Sequence, residues 1–343
     1  MTMTVEKEDF AMADQARTPV ASARSGKALG TMLVRVGAIG IFAIILLYFA
    51  LMAPGFLNFY NVLNVVEQSA ILGVLAFGMS VVIIGGGSDV QTGGIDLSLA
   101  ANTGLCAAVF AVSTNAGFAF PTAFALTLAT GLAVGLLNAV AVVVLNILPL
   151  LATLAVMNVI AGGELILTQN TVVPMSSDIV MTIATGSFAG ISVLAWCLII
   201  FTVIMLLFLR FTGIGLRLYA VGGHPEAARA AGLSVGSYVG GTYVFSGLCA
   251  ALASVLLVSR LSASSPGTGE LLLSILAAAL LGTVFSRRFV PTAGGTILST
   301  LFIGFLANGF QLLNVSSYWV NGVQGTLILL VVAATSFAKP SER

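Results

Sequence analysis

Charge is what this chain has least of. Only 7% of its 343 residues are Asp, Glu, Lys or Arg, against roughly 25% in a soluble domain. With 59% hydrophobic residues and so little polar surface, most of the chain must be solvated by lipid. A net charge of +1 and thirteen scattered basic residues make no stripe that could track phosphates, which argues against a nucleic-acid partner. Histidine occurs once, as His224, with no second His or Cys nearby, so no metal site is expected. The three cysteines, Cys106, Cys197 and Cys249, sit far apart inside apolar runs and read as small apolar side chains. Lysine is missing between Lys27 and Lys339, and no GxxxxGKS or GxxxxGKT loop occurs, so the chain has no phosphate-cradling loop of its own. With no triad or carboxylate pair either, neither an enzyme nor a bound cofactor is expected.

What is present is a succession of long apolar runs. Residues 1–35 are polar and of mixed charge, too long and too acidic for a cleavable leader, and are expected to be a disordered cytoplasmic tail. Residues 36–338 then divide at turn signals into ten stretches near the length a bilayer core requires. Their limits are 36–53, 63–85, 96–113, 120–145, 150–168, 190–209, 237–259, 270–286, 293–312 and 320–337. The fold class is therefore all-α, a polytopic membrane protein of about ten spans.

Basic residues orient it. No Lys or Arg lies between Arg35 and Arg210, whereas the flanking segments are both basic. Both then belong in the cytoplasm, with six spans between them. Ten spans leave only Arg260 outside, place both termini in the cytoplasm, and put Ser176 and Ser264 on the outer side.

The loop 210–236 is the most informative segment. Within it Gly222-Gly223-His224-Pro225-Glu226-Ala227-Ala228-Arg229-Ala230-Ala231-Gly232 reads as a short punctuated helix. Pro225 suits the first helical position, Glu226 favours the positive end of the dipole, and Gly232 is the stop. Two turns of helix cannot hold themselves in water, so this one must dock, on a partner or on its own membrane domain. Elsewhere, the paired glycines of Gly93-Gly94-Ile95-Asp96-Leu97-Ser98 allow a sharp turn and close backbone approach, and Asp96 is expected to cap the third span. Amides within the spans include Asn102, Asn138, Asn158 and Asn308, the groups a path for a polyhydroxylated solute would offer, although each also fits interhelical glue. Glu164, near the end of the fifth span, is expected at a water-exposed mouth.

These motifs carry a resemblance. Pro225–Gly232, with its Glu-Ala-Ala and following glycine, resembles the coupling loop of bacterial ABC importer permeases. The lead-in from Arg210 to Gly223, the GGIDLS of residues 93–98, and Asn308-Gly309 followed by Val315-Ser316-Ser317-Tyr318 resemble the ribose and related monosaccharide permeases. The chain departs from that pattern at 85–92, which is longer, and at 281–291, where a glycine-rich turn is replaced. The resemblance implies a permease subunit of the bacterial inner membrane, moving a monosaccharide or related polyol. It also implies a homodimer of permeases, a cytoplasmic ATP-binding subunit that binds the ATP, and a periplasmic solute-binding protein. ATPase coupling would fall to Gly223, Pro225, Glu226, Ala227, Ala228, Ala231 and Gly232, and the solute path or gate to Gly93, Gly94, Asp96, Asn102, Asn158 and Asn308. Nucleosides or amino acids are alternative cargoes within the superfamily. An ion-coupled secondary transporter is the rival of another class, with Asp89, Asp96 and Glu164 as its candidate coupling acids.

Overall fold

The computed structural model describes residues 36–37, 39–87, 93–286, 290–316 and 318–338, with side chains as far as residue 330. The tail 1–35, Asp89 and most of the departure at 85–92, the pair Arg287–Arg288, and Lys339 and Arg343 lie outside the described residues.

An apolar helix lies over each of the ten expected stretches. In chain order they are α1 (Ile39–Met52), α2 (Phe59–Gly86), α3 (Leu99–Asn115), α4 (Phe120–Ala139), α5 (Pro149–Thr168), α7 (Val193–Phe211), α10 (Val235–Leu261), α11 (Leu271–Val284), α12 (Ala293–Leu312) and α13 (Tyr318–Ala338). Among the described residues, six are long and apolar enough to cross a membrane: α2, α4 with its π-turn Val140–Val144, α5, α7, α10 and α12. Three short helices join them: α6 (Asp178–Thr185), α8 (Gly213–Gly223) and α9 (Pro225–Ala230).

The starts are written locally. Ser177, Ser192, Thr212 and Thr292 each turn a side-chain oxygen to an amide in the first turn of α6, α7, α8 and α12. Prolines open α4, α5 and α9, where a missing N–H costs nothing.

Helix α2 is the axis. Of its most apolar window 89% is buried, against 28% for α5 and α7, so α2 is hydrophobic all round because protein surrounds it. Its Val74, Leu75 and Met79 pack with Leu194 and Leu198 of α7, Cys249 and Ala253 of α10, and Ile275 of α11. Close crossings rest on glycine. A methyl group on Gly131 of α4 would strike the carbonyl of Gly247 on α10, and one on Gly135 would meet the Tyr243 carbonyl at 2.6 Å. Gly131 and Gly135 are four apart, the small-residue spacing that lets membrane helices touch backbone to backbone.

The connections keep sides. Two-residue strands after α5 and α10, β1 (Val173–Pro174) and β4 (Ala263–Ser264), pair antiparallel. A second hairpin, β2 (Ser187–Phe188) with β3 (Ile191–Ser192), precedes α7. The C-terminal ends of α5 and α10 are therefore on one side of the molecule. At the other, Gly222 packs on the last turns of α2, and the Tyr219 hydroxyl donates to the Pro291 carbonyl at 2.9 Å, just before α12. Burial pushes that hydroxyl up to about 12, so it remains a donor at any physiological pH.

Candidate functional site

The third of the expected stretches is helical only in part. Residues 93–98 are non-helical and mostly buried, closing in a turn at Leu97 and Ser98 before α3 begins at Leu99. Non-helical backbone at membrane depth survives only where protein satisfies it, and here it is satisfied. Gly94 N–H donates to the Gly87 carbonyl at 3.2 Å. Leu97 N–H donates to Thr153 Oγ1 of α5 at 3.1 Å. Glycine is required at 94 and 86: a methyl on Gly94 would strike the Val82 carbonyl, and one on Gly86 the Gly94 backbone.

Asp96 is the hub of this segment and is 2% exposed. Its Oδ1 accepts from Ser98 N at 3.0 Å, from Ser98 Oγ at 2.6 Å and from Asn138 Nδ2 at 3.4 Å. Its Oδ2 accepts from Ser246 Oγ of α10 at 2.7 Å. Asn138 Nδ2 also donates to Ser98 Oγ at 2.7 Å. One carboxylate thus ties the approach to α3 to α4 and α10, while Thr153 ties it to α5. The expected cap is corrected in detail. The helix begins after Ser98, and Asp96 bonds the N–H of Ser98 itself, outside the first turn of α3. Asn138 Oδ1 and the Tyr243 hydroxyl, both fully enclosed, have no hydrogen-bond partner among the described residues.

Of the other candidate path residues, Gly93 and Gly94 are buried in the non-helical approach, and Asn102 is buried one turn into α3, its amide on the Gly131 carbonyl at 3.4 Å. Asn158 stands apart, exposed halfway along α5, with its amide donating to the Leu154 carbonyl of its own helix at 2.8 Å. Asn308 is elsewhere again. It exchanges two hydrogen bonds with Asn61 of α2, at 2.8 and 3.0 Å, and is 3% exposed. Glu164 is not at an open mouth. It is 4% exposed, packed over Gly104 beside Thr268, and its Oε1 has no partner among the described residues. Ser246, Thr153 and Asn61 were not singled out in the sequence, because a lone polar residue in an apolar run carries no sign of what it meets across the bundle.

The loop 210–236 folds as α8 and α9. Gly232 adopts φ +83°, and the N–H groups of Gly232 and Leu233 reach back to the carbonyls of Arg229 and Ala228 at 3.0 Å, the left-handed stop expected of that glycine. Glu226 pairs with Arg229 one turn on at 2.7 Å, both exposed. Ala228 is 5% exposed and faces its own chain. The outward surface of α9 consists of Pro225, Glu226, Ala227, Arg229 and Ala230, continued by Ala231 and Gly232, with Gly223 exposed just before it. A methyl on Gly222 would strike the Ile84 carbonyl, so α8 touches α2 backbone to backbone, two residues along α2 from where Gly94 does the same.

Comparison with known proteins gives a consistent picture. The family described as "Branched-chain amino acid transport system / permease component" matches residues 61–332. The ribose import permease protein of Bacillus subtilis is 36% identical over 297 residues, 86% of this chain and 90% of that one. The L-arabinose ABC transporter permease protein of Azospirillum brasilense is 30% identical, over 94% of each chain. The autoinducer 2 import system permease protein of Klebsiella pneumoniae is 30% identical, over 85% of this chain and 88% of its own. No solved structure matches.

Proposed function

Because the chain belongs to the family of permease components of the branched-chain amino acid transport type, we propose that it is the membrane subunit of an ATP-driven importer for a monosaccharide or related polyol. The pentose permeases among its relatives favour sugar over amino acid as cargo. In this reading all ten apolar helices cross the bilayer, both termini are cytoplasmic, and two copies surround the path. A separate ATP-binding subunit docks on α9, and a periplasmic binding protein delivers the solute to the opposite face.

The observation that carries the mechanism is the double grip on one end of α2. Gly222, next to α9, packs on the Ile84 carbonyl, and Gly94, two residues before Asp96, packs on the Val82 carbonyl. A displacement of α9 by the ATPase would reach the Asp96 cluster through a single turn of rigid, buried helix. Packed interiors transmit strain because they have no slack. Asn158 supports the dimer. An uncovered amide midway along an apolar helix is costly in hydrocarbon, so that face of α5 is assigned to the second copy and the path between them.

The test is reconstitution with the ATP-binding and binding proteins in vesicles, measuring ATP-dependent uptake of a panel of pentoses and hexoses beside leucine. Uptake of a sugar is expected. Uptake of leucine alone would overturn the cargo, and ATP-independent uptake the drive.

A further inference from the structure

A cleft of about 1160 Å³ opens between the end of α2, the last turns of α7, helix α8 and the start of α12. Its size is at the upper end of small-molecule sites, which run from about 300 to 1,000 Å³. Ile84 forms its back wall, Leu206 and Leu209 of α7 one flank, and Leu216 of α8 another. Leu206 and Leu216 are exposed, and along α7 the surface continues from Leu206 through Ile199, Ile200, Val203, Ile204 and Leu207, aliphatic side chains suited to lipid tails. At the polar end stands Arg210. It is exposed, its guanidinium lies 5.7 Å from the centre of the Phe211 ring, and it has no carboxylate partner among the described residues. Among the described residues, no acidic side chain lines the cleft. The first turn of α12 enters at Ala293 and Gly294 and adds the positive end of a 20-residue helix dipole.

We propose that this cleft binds one anionic phospholipid, its headgroup at Arg210 and an acyl chain along Leu206 and Leu209. Exposed aliphatic walls ending in a cation with no carboxylate partner among the described residues, at the end of an apolar helix, match both halves of such a molecule. A soluble anion would have no use for the apolar flank, and a zwitterionic lipid brings no net charge to Arg210. Such binding requires neither the cargo nor the ATPase assigned above, because its test reads lipid binding by the permease alone.

The full chain in neutral detergent is the material, and its thermal unfolding with added lipid is the readout. Phosphatidylglycerol should raise the midpoint more than phosphatidylcholine, and native mass spectrometry should retain the anionic lipid preferentially. Arg210→Gln should weaken apparent phosphatidylglycerol affinity about fivefold, as loss of one basic contact to an anionic headgroup implies. Arg210→Lys should restore most of it, and Arg217→Gln, exposed on α8 away from the cleft, should change nothing. Equal response to the two lipids in wild type overturns the proposal, and so does undiminished binding in Arg210→Gln. Inorganic phosphate protecting as well as the lipid would overturn it in favour of a soluble anion. Should Arg210→Gln fail to fold, the wild-type lipid comparison and the Lys variant still decide.

Discussion

Asp96 shows what a single side chain can be asked to do inside a membrane protein. It is an acceptor for three side chains, from the approach to α3, from α4 and from α10, and for one backbone amide, and it has no ion-pair partner among the described residues. Asp96→Leu strands Ser98, Asn138 and Ser246, and each buried polar group left unmet costs about 1–3 kcal/mol. A loss above about 3 kcal/mol is therefore expected, seen as collapse of the detergent-purified protein in a thermal melt. Asp96→Asn keeps an acceptor for Ser98 and offers a donor to Ser246 Oγ, so it should retain most of the stability. If the two variants melt alike, the cluster is not what holds these helices. Tyr243 is the opposite case. Its hydroxyl is enclosed without a partner among the described residues, so Tyr243→Phe should leave stability unchanged or raise it by about 1 kcal/mol. A clear fall in melting temperature would mean the hydroxyl is satisfied in the membrane-embedded protein. The sequence pointed to Asp96 as a charged residue in a motif. It offered no means of finding Ser246, 150 residues away, because a serine in an apolar run looks the same whether it bonds a carboxylate or its own helix.

At the scale of the element, hydropathy located the helices and missed how two of them are used. Residues 96–113 and 99–115 look interchangeable by composition, since hydropathy is blind to whether a buried apolar stretch is helical or extended. What decides is tertiary: Gly86 and Gly94 allow the non-helical segment to lie on α2, and Thr153 takes its Leu97 N–H. Helix α9 was legible from its punctuation, because Pro225 and Gly232 act locally, but which alanine faces inward was not. Ala228 is buried against its own subunit, so substitution there tests the fold as much as the docking. Ala227→Asp, on the exposed side, is the sharper probe. It should leave the permease folded and dimeric while lowering co-purification of the ATP-binding subunit at least tenfold, roughly the effect of an unpaired charge in a tight contact. Intact co-purification would remove α9 as the docking element. For the crossing of α4 and α10, Gly131→Val should prevent recovery of folded protein in size-exclusion chromatography, whereas Gly162→Ala, with nothing within 4 Å of the added methyl, should behave as wild type. Similar profiles would mean the crossing has room to spare.

For the whole molecule, the strand pairing and the α8–α2–α12 contacts agree with the alternation that the basic residues imply. They hold the ends of α5 and α10 together, and the ends of α2 and α8 with the start of α12. Of the two serines expected on the outer side, Ser264 is 1% exposed and would escape any reagent. Ser176→Cys and Ser262→Cys, both exposed, should react with an impermeant maleimide in intact cells, and Arg217→Cys should not. Labelling of Arg217→Cys in sealed cells would invert or abolish the ten-span arrangement. Charge bias could be read from the chain because orientation depends on where lysine and arginine are few. The crossings inside the bundle could not, because they depend on which small residues meet.

The non-helical approach to α3 has a consequence in plain length. A residue in extended chain advances about 3.3 Å along its axis and a helical one 1.5 Å, so each residue that leaves α3 lengthens the segment by about 1.8 Å. Unwinding a single turn would therefore deliver a stroke of about 7 Å at Asp96, with the outer end of α3 fixed and no neighbouring helix displaced as a body. Asn102, whose backbone N–H bonds the Ser98 carbonyl at 2.7 Å, closes the first turn that would open. The junction at Ser98 and Leu99 is thus a place where a small exchange of hydrogen bonds becomes a movement comparable to the length of a sugar ring.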